Sequence, residues 1–155
     1  MCKIAQERVM LPDKDKIKIR RMINADLDKV KAIDRALAGE RRALSWPLRV
    51  ETEWAVYRPA LSYVAELGDE IVGFLLGDIR GAEYGTDISG WIDMMGVAPQ
   101  YQRQGIGRRL IETFREECKR NRVKAKVIVR EDDERLTGFW TSVGFRRGKL
   151  ISFEG

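Results

Sequence analysis

The segment Val97-Ala98-Pro99-Gln100-Tyr101-Gln102-Arg103-Gln104-Gly105-Ile106-Gly107-Arg108-Arg109-Leu110 decides how this chain is read. An apolar run over residues 91–97 predicts a strand that feeds a polar loop. The loop closes on two glycines and opens directly into an amphipathic helix. Glycine lets the backbone turn sharply there and leaves its N–H groups bare, and the start of a helix adds the positive end of its dipole. Bare amides at such a junction make a seat for an anion such as a pyrophosphate. A phosphate-bearing ligand therefore heads the reading.

The elements around this junction follow from periodicity and turn chemistry. Residues 16–20 alternate as a first strand. Asn24 or Asp26 caps a helix that sets Leu27, Val30, Ile33 and Leu37 on one side and stops at Gly39. Pro47 and Pro59 bracket a short helix carrying Trp46, Leu48, Val50 and Trp54. Residues 61–67 and 71–79 read as strands joined by the tight turn Gly68-Asp69-Glu70, and the glycine-bearing stretch 80–90 as a flexible connection. After Gly105, the side chains of Ile106, Leu110, Ile111, Phe114 and Cys118 share one helical face. Residues 123–129 form a further strand, Glu131-Asp132-Asp133-Glu134 opens another helix, and residues 145–153 return as a last strand. The order predicts an α/β fold, a mixed central sheet of about six or seven strands flanked by about four helices.

Composition bounds the function. With 44% hydrophobic and 34% charged residues, the chain reads as one globular domain over residues 16–155 behind a flexible tail, residues 1–15. No apolar run approaches the ~20 residues of a membrane helix. The charged N-terminus lacks a signal-peptide core, so a cytoplasmic location is expected, with no membrane partner. The chain has no histidine. That removes the usual general base, the Ser-His and Cys-His arrangements and the commonest metal ligand, and no metal site is expected. Cys118 reads as core, and Cys2 forms no cluster with it. The net charge of +5 is spread among interleaved acids and bases, which argues against a nucleic-acid-binding stripe.

Two motifs carry a resemblance. Gln102-x-x-Gly105-x-Gly107, after a strand and before a helix, resembles the acetyl-CoA signature of the GNAT family of N-acetyltransferases. Phe139-Trp140-Thr141-Ser142-Val143-Gly144-Phe145 resembles that family's Phe-Tyr-x-x-x-Gly-Phe segment, and the order of elements agrees over residues 17–153. The stretch Gln100-Tyr101-Gln102-Arg103-Gln104-Gly105 is most similar to the ribosomal-protein and N-terminal acetyltransferase branch. The resemblance implies acetyl-CoA as co-substrate, an amine acceptor (a protein N-terminus, lysine or small amine), and a monomer or homodimer. It implies that the strands at 91–97 and 123–129 splay, with pantetheine pairing along Met95, Gly96 and Val97. The amides of Gln102, Arg103, Gln104, Gly105, Ile106 and Gly107, with Arg108, would hold the pyrophosphate. Asp133 and Trp140 stand where relatives carry an asparagine and a tyrosine that touch CoA. The side chains of Arg103, Arg108 and Arg109 reach phosphates or face water with equal weight.

The chemistry is then bounded by the acceptor. Deprotonating a free lysine at pH 7 costs about 4–5 kcal/mol and an α-amine only about 1 kcal/mol, so a weak base serves the latter. Asp93 matches an acidic residue of polyamine-type members and is the candidate base; it reads equally as a strand carboxylate paired with an arginine. The glutamate of the N-terminal-acetylating branch is here Ile128, and Glu66 is a remoter base. The backbone N–H of Val97 is the candidate oxyanion donor, given a bulge in the strand there. Trp140 cannot deliver the proton that the family's tyrosine does. The tyrosines Tyr57, Tyr63, Tyr84 and Tyr101 remain, as does unassisted departure of a thiolate. Acceptor choice falls to residues 38–58 and 80–90, where Trp46 and Trp54 with Glu51 or Glu53 line a pocket or, with greater weight, serve as core and solvated surface. The leading expectation is an N-acetyltransferase working by direct attack in a ternary complex. Its rivals are a catalytically weak acetyl-CoA-binding sensor and a basic nucleic-acid-binding domain.

Overall fold

Gly68 turns the chain at φ +60 between two strands, β2 (Tyr63–Leu67) and β3 (Glu70–Arg80), as the hairpin signal predicts. A computed structural model describes this hairpin within residues 13–39 and 61–155. β1 (Ile17–Arg21) flanks β2, and β4 (Ser89–Val97) flanks β3, all antiparallel. β5 (Lys124–Val127) closes the row in parallel with β4, giving the order β1-β2-β3-β4-β5. Among the described residues three α-helices join them: α1 (Leu27–Ala38), α2 (Ile106–Arg120) and α3 (Glu134–Ser142).

The helices cover opposite faces of the sheet, which is why β3 is buried on both sides. On one face Val30 and Ile33 of α1 pack on Val64, Phe74, Leu76 and Met94. On the other Leu110, Ile111 and Phe114 of α2 pack on Val72, Leu75 and Ile92, with Trp140 and Val143 alongside. Gly77 allows the close approach of α2: a Cβ there would lie 2.5 Å from the Phe114 ring. No described helix is long and apolar enough to cross a membrane.

The α/β mixed sheet is as expected, with five strands and three α-helices among the described residues. The helix read between Pro47 and Pro59, with Trp46, Glu51, Glu53, Trp54 and Tyr57, lies outside them, as do residues 1–12. The expected last strand is corrected. Phe145 packs its ring 5.0 Å from Trp140, but residues 146–155 stay exposed and unpaired. Arg146, Arg147 and Lys149 hold that segment in water, and β5 is too short to template it. The cap of α1 also differs. No side chain caps the helix; Asp26, 4% exposed, accepts from the Ile23 amide at 2.9 Å and from Arg20 at 2.8 and 2.9 Å, closing a 3-10 turn ahead of it.

Candidate active site

The central feature is where β4 and β5 part. Their ladder runs Ser89↔Lys124, Gly90↔Ala125, Trp91↔Lys126 and Ile92↔Val127, and stops. β4 continues through Val97 with no strand on that side among the described residues. At the same point β4 bulges: Leu76 pairs with Met94 and Gly77 with Ile92, so Asp93 is the extra residue. The bulge therefore sits four residues before Val97, which itself pairs regularly with Gly73.

The ladder with β3 fixes which backbone groups face the opening. Ala98 donates its N–H to the Val72 carbonyl at 2.9 Å. By the two-residue alternation of an antiparallel pair, the N–H groups of Met95 and Val97 point away from β3, into the space β5 has left. The Val97 carbonyl points the same way and accepts from Gln102 Nε2 at 3.1 Å. Gln102 thus pins the loop to the strand end.

Beyond Gln102 the loop is shaped by left-handed backbone at Arg103 (φ +61) and Gly105 (φ +81). Gly105 is the N-cap of α2, no side chain caps it, and the first helical bond is Arg109 N–H to the Gly105 carbonyl at 3.1 Å. Among the described residues no protein acceptor takes the N–H groups of residues 103–108. These free amides at a helix start lie beside Met95 and Val97: a Cβ on Gly107 would come 3.4 Å from Met95 Cε and 3.8 Å from Val97 Cγ2 and Phe139 Cζ. The free amides, the helix dipole and the unpaired strand edge together fit a ligand with an extended amide-bearing arm and a diphosphate.

The remaining residues singled out in the sequence make the following contacts. Asp133 spends Oδ1 on the Leu136 amide at 3.0 Å as the N-cap of α3. Trp140 is buried, edge-on to Phe139 at 5.4 Å and to Phe145 at 5.0 Å, within the core beneath α2. Arg108 reaches the Ser142 carbonyl at 3.4 Å, tying α3 to α2. Gln104 buries its Oε1 without a partner in the amide loop. Cys118 is buried, and that burial pushes its thiol up to about 11, which removes it as a nucleophile.

Asp93 is gripped by Arg80, Nη1 to Oδ2 and Nη2 to Oδ1 both at 2.8 Å, and this hydrogen-bonded pairing raises the guanidinium above its ordinary range. The sequence did not pair these two because the bulge sets their register. Glu66 is turned to Arg20 at 3.4 Å. Of the tyrosines, Tyr63 is buried and raised by that burial, and Tyr101 donates to Glu70 Oε2 at 2.8 Å, the bond that raises it. Tyr84 stands edge-on to Trp91 at 5.6 Å, and Trp91 in turn lies 6.0 Å from the Arg80 guanidinium. Tyr84 is thus linked to the Asp93 group through Trp91 and Arg80.

The model of the acetyltransferase (GNAT) family matches residues 29–145. Among solved structures, a possible acetyltransferase from Clostridium difficile 630 is 18% identical, with a TM-score of 0.74 over 90% of this chain and 96% of that chain. AAC(6')-Iy, in complex with the bisubstrate analogue CoA-S-monomethyl-acetylneamine, is 14% identical, with a TM-score of 0.72 over 90% and 97%. Ard1 from Thermoplasma volcanium is 21% identical, with a TM-score of 0.67 over 86% and 85%. No curated protein sequence matches.

Proposed function

Because the chain belongs to the acetyltransferase (GNAT) family, we propose that it is an acetyl-CoA-dependent enzyme that acetylates a primary amine by direct attack in a ternary complex. One observation carries the reading: the unpaired edge of β4 beyond Ile92 ends beside free amides over residues 103–108. AAC(6')-Iy, of the same fold, was solved with a CoA-based bisubstrate analogue, which supports the same ligand here. The thioester supplies the acetyl group and a thiolate that leaves.

The residues then take these parts. Amides of Arg103, Gln104, Gly105, Ile106, Gly107 and Arg108 line the seat for the diphosphate, and Met95, Gly96 and Val97 the edge for the pantetheine arm, whereas the Gln102 amide, expected in the seat, donates to the Pro99 carbonyl at 3.4 Å. The Val97 N–H, already aimed into the opening, meets the developing oxyanion without reorganising. Asp93 receives the ammonium of the acceptor on lone pairs that Arg80 leaves free, and takes its proton. A thiol of ordinary acidity, near 8.5, leaves as thiolate without an acid, so the loss of the family's tyrosine at Trp140 slows transfer without abolishing it. The proposed setting is cytoplasmic, with residues 16–155 working as one domain.

One observation favours a second reading, an acetyl-CoA sensor with little turnover: both Asp93 oxygens are engaged by Arg80. Calorimetry with acetyl-CoA, followed by thiol release over a panel of amines and peptide N-termini, separates the two. Binding with turnover supports the enzyme, binding with none supports the sensor, and no binding ends both.

A further inference from the structure

Polar hydrogens are left over on one side of β4. Trp91 is 2% exposed, and its Nε1 is buried without an acceptor; Arg80 Nε is buried in the same condition. The Glu83 carboxylate is 3.3 Å from that Nε but outside hydrogen-bond geometry. Lys126, opposite Trp91 in the β4–β5 ladder, holds its ammonium 5.3 Å from the indole centre and pairs with no carboxylate among the described residues. Buried polar groups in folded proteins are nearly always satisfied, so two orphan donors and an unpaired cation around one ring call for an acceptor-rich group.

Asp93 completes the arrangement, since the guanidinium that contacts its carboxylate also lies 6.0 Å from the Trp91 ring. Charges of both signs meet here, Arg80 and Lys126 with Asp93 and Glu83, and Asp78 also acts on Arg80. We propose that the acceptor is a zwitterion, an amino acid or a similar small amine bearing a carboxylate. Its ammonium rests on Asp93, and its carboxylate on Lys126, Arg80 and the Trp91 N–H. This rests on the acetyl-transfer reading and narrows its acceptor. A polycation brings several ammonium groups against Arg80 and Lys126 and is disfavoured by like charge. In the reaction the nitrogen bonds to the acetyl carbon as the carbon–sulfur bond breaks. Of the two protons the ammonium loses, one passes through Asp93 to solvent and one ends on the sulfur of CoA.

The test uses the full chain, acetyl-CoA and matched acceptors: L-phenylalanine against phenethylamine, L-lysine against cadaverine, with spermidine as the polycation. Thiol release is expected to give a kcat/KM at least about tenfold higher for the carboxylate-bearing member of each pair. Lys126→Met and Trp91→Phe each raise the amino-acid KM by about tenfold and leave the KM of the decarboxylated partner in place, a split that general damage to the fold does not produce. Equal or better use of the decarboxylated amines or spermidine overturns the inference. So does a parallel loss on both members of a pair, or bound acetyl-CoA with no turnover on any acceptor. Failure to bind acetyl-CoA is a different result, since it removes the transfer reading itself.

Discussion

Replacing Gly107 with alanine should move stability and ligand binding in opposite directions. Gly107 is the second residue of α2 and has no left-handed backbone to defend. Its added methyl meets Met95 Cε at 3.4 Å and Val97 Cγ2 and Phe139 Cζ at 3.8 Å, all ordinary contacts. Alanine in a helical position gains about 0.5–1 kcal/mol over glycine, because glycine loses more freedom on folding. For a chain of this size that raises the melting temperature by about 1–4 °C. The same methyl projects between the free amides and the open edge of β4, where the ligand's approach needs bare backbone. Acetyl-CoA affinity should therefore fall by at least about tenfold, the cost of a steric mismatch of one methyl group in a close-fitting site. Thermal melting read by circular dichroism gives the first quantity and calorimetry with acetyl-CoA the second. A Gly107→Ala protein that binds acetyl-CoA as tightly as the parent refutes the placement of the ligand against these amides, whatever its melting temperature.

Asp93→Asn should lower kcat for an α-amine acceptor by about a hundredfold or more if the carboxylate is the base, and turnover at the parental rate removes Asp93 from the mechanism. The Asp26 carboxyl is held below its ordinary 3.8, chiefly by the Arg20 guanidinium bonded to it. A depressed folded value means its contribution is complete above the unfolded value and is lost as pH falls through the lower folded one. Asp26→Asn should thus cost about 2–3 kcal/mol in urea unfolding at pH 7, with a gap to the parent that narrows below about pH 4; a gap independent of pH counts against it. In a Cys2→Ser background, Cys118 should resist alkylation at pH 8 until denaturant is added, because burial holds the thiol protonated, and rapid labelling of the folded protein contradicts that burial.

How far the sequence reaches depends on whether a feature is local. The junction at Gly105 and Gly107, the hairpin at Gly68 and the apolar faces of α1 and α2 are encoded within short windows, and each forms where the residues predict. Asp93 was legible as a candidate, but its pairing with Arg80 depends on the register across β3 and β4, and one extra residue resets that register. Asp26 carries the signature of a helix cap, yet the Ile23 amide and Arg20, whose guanidinium Glu66 also shares, bond its carboxylate and draw it into an ion pair. Residues 145–153 are expected from the sequence to return as a last strand, but a strand needs a neighbour to pair with, and β5 has ended at Val127. Asp133 and Trp140 align with ligand-touching positions by motif, while the structure engages them in a cap and a core.

The bulge at Asp93 links these facts. Along a regular strand, side chains alternate, so Ile92 on the α2 face would place Met94 on that face and Met95 opposite it. The structure has Met94 among the α1-side core, and Met95 and Val97 against the α2-side core. The single extra residue makes that exchange. It also sharpens the local twist of β4, at the level where β5 drops away. The same insertion therefore turns Met95 and Val97 toward the helix whose amides are free, leaves their N–H groups in the opening, and projects the Asp93 carboxylate to the side where Arg80 and Trp91 gather. Donor edge, anion seat and acceptor carboxylate are thus set by one irregularity in one strand. Deleting Asp93 would restore regular alternation with Met95 and Val97 still on the α2 side, and would take away the carboxylate and the added twist together.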